Sequence, residues 1–264
     1  MSALNELAED SIFAEERKQR IIDYVNQNAK ATVAELSQQF SVSTATIRHD
    51  LRELDSRGLI RRTHGGAISV SFVNFEPTSS EKMVSRMEEK QAIAREALNY
   101  IQERSCIALD AGTTNYELAK LLTGFRDLTV LTHDLSIAAF LDNSSQVKLI
   151  VAGGMVRQNF HYTYGERAVA TIRDLNVDVA FIAANGVSAE RGMSTPDMET
   201  AKIKQVMMRN AQQVILLADS SKVNKVSFVQ FADWRDISVF ITNQGAESGA
   251  LQTIQKKEVD VRLV

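Results

Sequence analysis

The chain has 264 residues, 44% of them hydrophobic and 24% charged, and a formal net charge of −3. That length can bury a core and hold two domains, the composition excludes a disordered or fibrous chain, and no apolar run reaches the length of a membrane span. The single Cys106 excludes an internal disulfide framework and fits a reducing compartment.

The N-terminal stretch MSALNELAEDSIFAEER is acidic and lacks the basic, apolar and cleavage regions of a signal peptide, so it reads as a frayed extension. Glu15 to Asn28 predicts a first helix with Ile21, Ile22 and Val25 inward. Thr32 and Glu35 then form a T-x-x-E capping box, and Val33, Leu36 and Phe40 make one apolar stripe of a second helix. The pattern breaks at Ser41-Val42-Ser43, where Ser43 is a good N-cap for a third helix. In that helix Ile47, Leu51 and Leu54 share one face. Ala45, His49 and Arg52 lie opposite, with Thr46 and Arg48 on the flanks. Small residues, a hydroxyl and long nitrogen donors suit a DNA major groove, where Arg reaches guanine in bidentate fashion. The alternative is a solvated helical hairpin.

Gly58 stops the third helix. Leu59–Arg62 and Ala67–Val70 can pair around His64-Gly65-Gly66, giving a small basic hairpin. Three helices followed by such a hairpin make a winged helix-turn-helix over 14–70. Ser43, Thr44, Ala45, Thr46, Arg48, His49 and Arg52 are the expected contacts from the helix, and Arg61, Arg62 and His64 those from the wing. Charge is weak support. Residues 14–66 hold nine Lys and Arg against seven Asp and Glu, a balance of +2, so the argument for DNA rests on geometry and pattern. The run V-x-x-L-x-x-x-F-x-V-S-x-x-T-I-R-x-D-L-x-x-L, followed by G-L-I-x-R-x-H-G-G-A, resembles the N-terminal domain of the DeoR family of bacterial transcriptional regulators.

Ser71 to Ser80, SFVNFEPTSS, has no helical period and reads as a linker. Glu81 to Glu103 is rich in helix formers and predicts one kinked helix or two, so 71–104 reads as linker and connecting helix. From Ser105 short apolar runs alternate with helical segments. The expected strands are Cys106–Asp110, Leu128–Thr132, Val147–Ala152, Val177–Ala184, Val214–Asp219, Ile237–Thr242 and the terminal VDVRLV. This alternation predicts an α/β domain over 105–264 with a mostly parallel sheet covered on both faces.

Ligands of open parallel sheets bind beyond the carboxyl ends of the strands. Asp110-Ala-Gly112-Thr113-Thr114 falls there, with Gly112 for close approach and two threonines at a helix N-terminus, a ready anion site. Asp219-Ser-Ser-Lys222 ends another strand, and Lys222 could neutralise a phosphate. Thr132, His133, Asp134, Gly153, Gly154, Asn185, Gly186, Thr195 and Glu199 are further candidates for sugar hydroxyls. Each has a bland alternative, such as a tight turn at Gly153-Gly154 or a first-turn acid at Glu199. Lys202 and Lys204 read as a solvated face. No metal-ligand spacing is present and no cofactor is expected.

The motifs D-A-G-T-T, L-T-H-D, V-A-G-G, G-M-S-T-P and A-D-S-S-K resemble the DeoR family's effector domain, which is similar to phosphosugar isomerases and deaminases. The resemblance implies a cytoplasmic repressor of a carbohydrate-metabolism operon. It would bind double-stranded operator DNA as a homo-oligomer, dimer or tetramer, and a phosphorylated sugar would release it. An enzyme, a phosphosugar isomerase or deaminase fused to a DNA-binding domain, is the alternative. It needs a positioned acid–base pair, for which Asp134 and Glu199 are the candidates.

Overall fold

A computed structural model of the chain describes residues 14–25, 28, 30–69 and 76–264. Residues 1–13 of the expected N-terminal extension, the end of the wing at Val70 and residues 71–75 of the expected linker lie outside these residues, while residues 14–17 of that extension are helical. The chain divides into two compact units, one up to residue 75 and the other from Glu76.

In the first unit, α1 covers residues 14–25. Then come β1 (Lys30–Thr32), α2 (Val33–Phe40), α3 (Thr44–Ser56), β2 (Arg61–Arg62) and β3 (Gly66–Ile68). The capping box forms as expected: the Thr32 hydroxyl accepts from the Glu35 amide at 3.1 Å, and the Glu35 carboxylate accepts from the Thr32 amide at 2.7 Å. Helix α3 starts on Ser43, whose hydroxyl accepts from the Thr46 amide. It stops at Gly58 (φ 68°), where the amides of Gly58 and Leu59 donate to the carbonyls of Asp55 and Leu54. This is the Schellman ending that a left-handed glycine makes cheap. Ile21, Val25, Leu36, Ile47, Leu51, Leu54 and Ile60 are fully or almost fully buried and pack as one core.

The wing is wider than a hairpin. It is a three-stranded antiparallel sheet in the order β1-β3-β2. A Cβ at Gly66 would stand 2.0 Å from the Ala31 carbonyl oxygen, so only glycine lets β1 close on β3.

The second unit begins with α4 (Ser79–Val84) and α5 (Met87–Ala97). The break between them is at Arg86, held at φ 52°. There follow β4 (Cys106–Leu109), α6 (Thr113–Lys120), β5 (Thr129–Thr132), α7 (Leu135–Ser144), β6 (Lys148–Val151), β7 (Met155–Arg157), β8 (Tyr162–Tyr164) and α8 (Glu166–Arg173). The remainder is β9 (Val177–Ala183), β10 (Gly186–Ser188), β11 (Gly192–Thr195), α9 (Met198–Arg209), β12 (Ala211–Leu217), β13 (Val229–Ala232), β14 (Val239–Thr242), α10 (Ser248–Gln255) and β15 (Asp260–Leu263).

Seven of these strands form one parallel sheet in the order β15-β14-β12-β9-β4-β5-β6. Alternate residues of each strand enter opposite cores. Val179 and Phe181 of β9 face Ile93, Leu118 and Ile137, while Ala180 and Ile182 face Ile172, Ile203 and Ile254. Burying each of these Val, Leu, Ile and Phe side chains contributes about 1.5–3 kcal/mol. Helix α5 packs on β12 and β14 with Ile93, Ala94 and Ala97 fully buried. It is therefore a layer of the α/β unit, where the sequence reading has a connecting helix. Two small additions are absent from that reading: the β7–β8 hairpin, and an antiparallel sheet in the order β10-β11-β13. The strand order reverses direction at β4, where β5 lies on one side and β9 on the other. The crevice beyond the carboxyl ends of β4 and β9 is the topological switch point.

Candidate functional site

The first unit presents an exposed face on α3. Ile47, Asp50, Leu51 and Leu54 are buried, while Thr44, Ala45, Arg48, His49 and Arg52 are exposed. Ser43 is exposed and spends its hydroxyl on Thr46, at the edge of this face. Arg48 lies 3.5 Å from the Thr44 hydroxyl, and the Arg52 Nε donates to the Arg48 carbonyl at 3.1 Å. The helix is anchored from behind by the Arg17 guanidinium on buried Asp50, at 2.7 and 3.2 Å. Asp50 has no role in the sequence reading. In the wing, the Arg62 amide donates to Asp55 at 2.8 Å, fixing β2 to the end of α3. Arg62 and His64 are exposed and Arg61 half-buried.

The second unit places Asp110 at the switch point. Its carboxylate is fully buried, lies 3.2 Å from His133 Nε2, and accepts from the Ala183 amide at 2.9 Å and from the Lys204 ammonium. Lys204 also donates to the Ala183 carbonyl at 2.9 Å and is 2% exposed. The solvated face expected for Lys202 and Lys204 is thus wrong for Lys204. Along α9 it shares the inward side with Thr200 and Met207, whereas Lys202 pairs with Glu199 at 2.5 Å. Burial works to raise the Asp110 carboxyl, but the Lys204 ammonium and the His133 ring beside it hold it down at about 2.

Several candidate residues spend their side chains on the fold. The Thr132 hydroxyl donates to the Leu109 carbonyl at 2.8 Å. Asp134 caps α7, accepting from Ser136 and Ile137, and its second oxygen accepts from the Gly112 amide. Burial raises its carboxyl against those three amides. His133 is fully buried between the Thr163 carbonyl and Asp110. Glu199 is engaged with Lys202 in the first turn of α9. Thr195 donates to Asn185 at 3.2 Å. Gly154 lets the Tyr164 carbonyl approach where a Cβ would stand at 2.4 Å, and Gly186 does the same for Lys225 at 2.7 Å; Gly153 is exposed with open space around it. Gly112, Thr113 and Thr114 open α6, with Gly112 at φ 151° and ψ 155°. The amides of that first turn have no intrahelical partner.

Lys222 sits in a one-turn 3-10 segment after β12, capped by buried Asp219. Strand β9 alone separates β4 from β12, so the two strand ends lie about 10 Å apart. Burial works to raise the Asp219 carboxyl, but Lys222, the Ser221 amide and Arg86 hold it below the usual range. Arg86 lies 3.8 Å from it. Further cations, absent from the sequence reading, come from α4 and α5. Burial lowers Lys82, and the Lys222 and Lys204 charges push the same way against Glu76. Lys90 is 5% exposed and donates to the carbonyls of Lys82 and Ser85 at the end of α4. Burial brings it down to about 8, with Lys222 and Lys82 adding to that and Asp219 opposing. Arg86, Lys90 and Lys222 thus act on Asp219, and Lys82, whose ammonium pairs with Glu76, lies within reach of the Lys222 and Lys90 charges, so four cations gather here against the carboxylates of Asp219 and Glu76.

Comparison with known proteins covers both units. A family model described as a DeoR-like helix-turn-helix domain matches residues 17–72, and one described as a DeoR C terminal sensor domain matches residues 85–244. The HTH-type transcriptional regulator GlpR of Haloferax volcanii is 36% identical over 93% of this chain and 96% of its own. A putative aga operon transcriptional repressor of Escherichia coli O157:H7 is 31% identical over 94% and 93%. The transcriptional repressor AccR of Agrobacterium fabrum is 32% identical over 92% and 94%. Among solved structures, a ribose 5-phosphate isomerase A from Methanocaldococcus jannaschii aligns with a TM-score of 0.40 at 16% identity, covering 53% of this chain and 55% of that one.

Proposed function

The chain belongs to the DeoR family of helix-turn-helix transcriptional regulators, and on that footing we propose that it represses a carbohydrate-metabolism operon until a phosphorylated sugar or related metabolite binds its second unit. It is a DNA-binding regulator and not an enzyme: its relatives are regulators along their whole length. Helix α3 enters the major groove with Thr44, Ala45, Arg48, His49 and Arg52, while Arg61, Arg62 and His64 of the wing approach the phosphate backbone. One such unit reads too few base pairs for genomic specificity, so the repressor works as a homo-oligomer on paired half-sites. Among the described residues no helix is long and apolar enough to cross a membrane. As a reader of operator DNA, the repressor is proposed to act in the cytoplasm.

The observation that carries the effector reading is the gathering of Arg86, Lys90 and Lys222 at Asp219, beside the switch point, with Lys82 within reach of the Lys222 charge. The phosphate is held by Lys82 and Lys222, and the sugar extends toward the α6 N-terminus at Gly112–Thr114, a span that the spacing of β4 and β12 permits. Asp110 supports that corner from beneath. A thermal-shift screen of the full chain against sugar phosphates and their parent sugars tests this. A ligand at a hundred times its Kd stabilises the native state by about 2.7 kcal/mol. Equal shifts from a sugar and its phosphate would remove the anion site.

A further inference from the structure

Glu76 is the first residue of the second unit in sequence, and its side chain is 8% exposed. Three donors from three parts of that unit converge on it. Arg157 of β7 donates to Oε2 at 2.6 Å. Lys82 of α4 donates to Oε1 at 2.6 Å, and the Asn185 side-chain amide donates to the same oxygen at 3.3 Å. Burial works to raise the carboxyl, but the two cations hold it below the usual carboxylate range, so it is an anion at neutral pH. Arg157 is held in place for this contact. Its guanidinium lies 3.9 Å from the centre of the Phe160 ring and donates to the Tyr162 hydroxyl, which in turn bonds Thr200 at 2.7 Å. Ser79 ties the same segment down through its amide to the Asn159 carbonyl at 3.0 Å and its hydroxyl to the Phe160 carbonyl at 2.8 Å.

We propose that Glu76 is a built-in competitor for the effector's anion: it holds Lys82, Arg157 and Asn185 in the free protein, and a phosphate that engages Lys82 displaces it, releasing the segment that leads back to the DNA-binding unit. The inference rests on the effector site assigned above. Lys82 is the shared element. It contacts Glu76 directly and also feels the charge of Lys222. A second anion brought to Lys82 repels the Glu76 carboxylate and shares its counter-charge. The free energy that effector binding spends on displacing Glu76 is then the free energy by which it favours the released state. A ligand shifts a two-state equilibrium only through such a difference. An ion pair serving only to hold the fold together would also oppose phosphate by its charge, but phosphate binding would not loosen residues 76–80.

The test is a thermal-shift titration of the full chain with inorganic phosphate, for wild type, Glu76→Gln and Lys222→Met. Gln keeps the size of the side chain and its bond to Asn185 but leaves Lys82 and Arg157 free for phosphate. The expected result is binding about tenfold tighter in Glu76→Gln and about tenfold weaker in Lys222→Met. Unchanged affinity in Glu76→Gln with weakened affinity in Lys222→Met overturns the competitor and leaves the anion site standing. No response to phosphate in any of the three overturns both. Hydrogen exchange on wild type gives an independent reading if Glu76→Gln does not fold. Peptides covering residues 76–80 are expected to exchange faster at saturating phosphate. Unchanged or slower exchange there contradicts the displacement.

Discussion

The Lys204 ammonium donates to the Asp110 carboxylate, with both side chains at most 3% exposed and 94 positions between them in the chain. The pair joins α9 to the carboxyl end of β4 across β9, and so fixes the floor of the switch point. Removing one partner of a buried pair leaves the other charged and uncompensated, at a cost of about 3–5 kcal/mol. Lys204→Met is therefore expected to lose about that much in urea unfolding, and the Lys204→Met, Asp110→Asn double variant to recover part of it. A Lys204→Met variant within about 0.5 kcal/mol of wild type would show that the pair is not what holds this corner.

The same carboxyl sets a pH dependence. Its folded-state value is about 2, below the unfolded value of 3.8. A depressed carboxyl contributes stability that is fully present above the unfolded value and is lost as pH falls through the folded one. The contribution is about 2–3 kcal/mol. Acid unfolding between pH 5 and about 2 is the measurement: wild type should lose this part over that range, and Asp110→Asn, with nothing left to titrate there, should show a shallower slope. Parallel acid profiles for the two proteins would contradict the assignment.

Helix and wing should separate in DNA binding. Arg48→Ala or Arg52→Ala is expected to cost about 1–3 kcal/mol on a selected operator and little on random DNA. Arg52 must first leave its bond to the Arg48 carbonyl to reach a base. Arg62→Ala should weaken both DNAs alike and lower the salt slope by about 1. Binding isotherms at several salt concentrations make the comparison. A helix variant that weakens specific and random DNA equally would move that side chain from base readout to phosphate contact.

What the sequence disclosed follows from the range of the interactions involved. The Thr32–Glu35 box, the Ser43 cap and the Gly58 stop are contacts among near neighbours, and all three form where local chemistry expects them. The continuous apolar runs of β9 and β12 announced a sheet buried on both faces. Strands of three residues such as β1, β7 and β10 carry no period to detect, and they pair only because Gly66, Gly154 and Gly186 permit close approach. Lys204 was within reach of a helical wheel: it stands four residues after buried Thr200 and three before buried Met207, with exposed Lys202 on the other side. Glu76 was not, because its partners Arg157 and Asn185 lie 81 and 109 residues away. Lys90 and its neighbours were hidden for the same reason, since α5 meets β12 only in the folded unit.

In the proposed repressor an anion at Lys82 and Lys222 controls operator binding without touching DNA. The direct measurement is fluorescence anisotropy of a selected operator, titrated with a sugar phosphate found in the thermal screen, for wild type and Lys222→Met. Both proteins are expected to bind the operator alike when no sugar phosphate is present, and Lys222→Met to need about tenfold more ligand for release. Release of Lys222→Met at the wild-type concentration would contradict it.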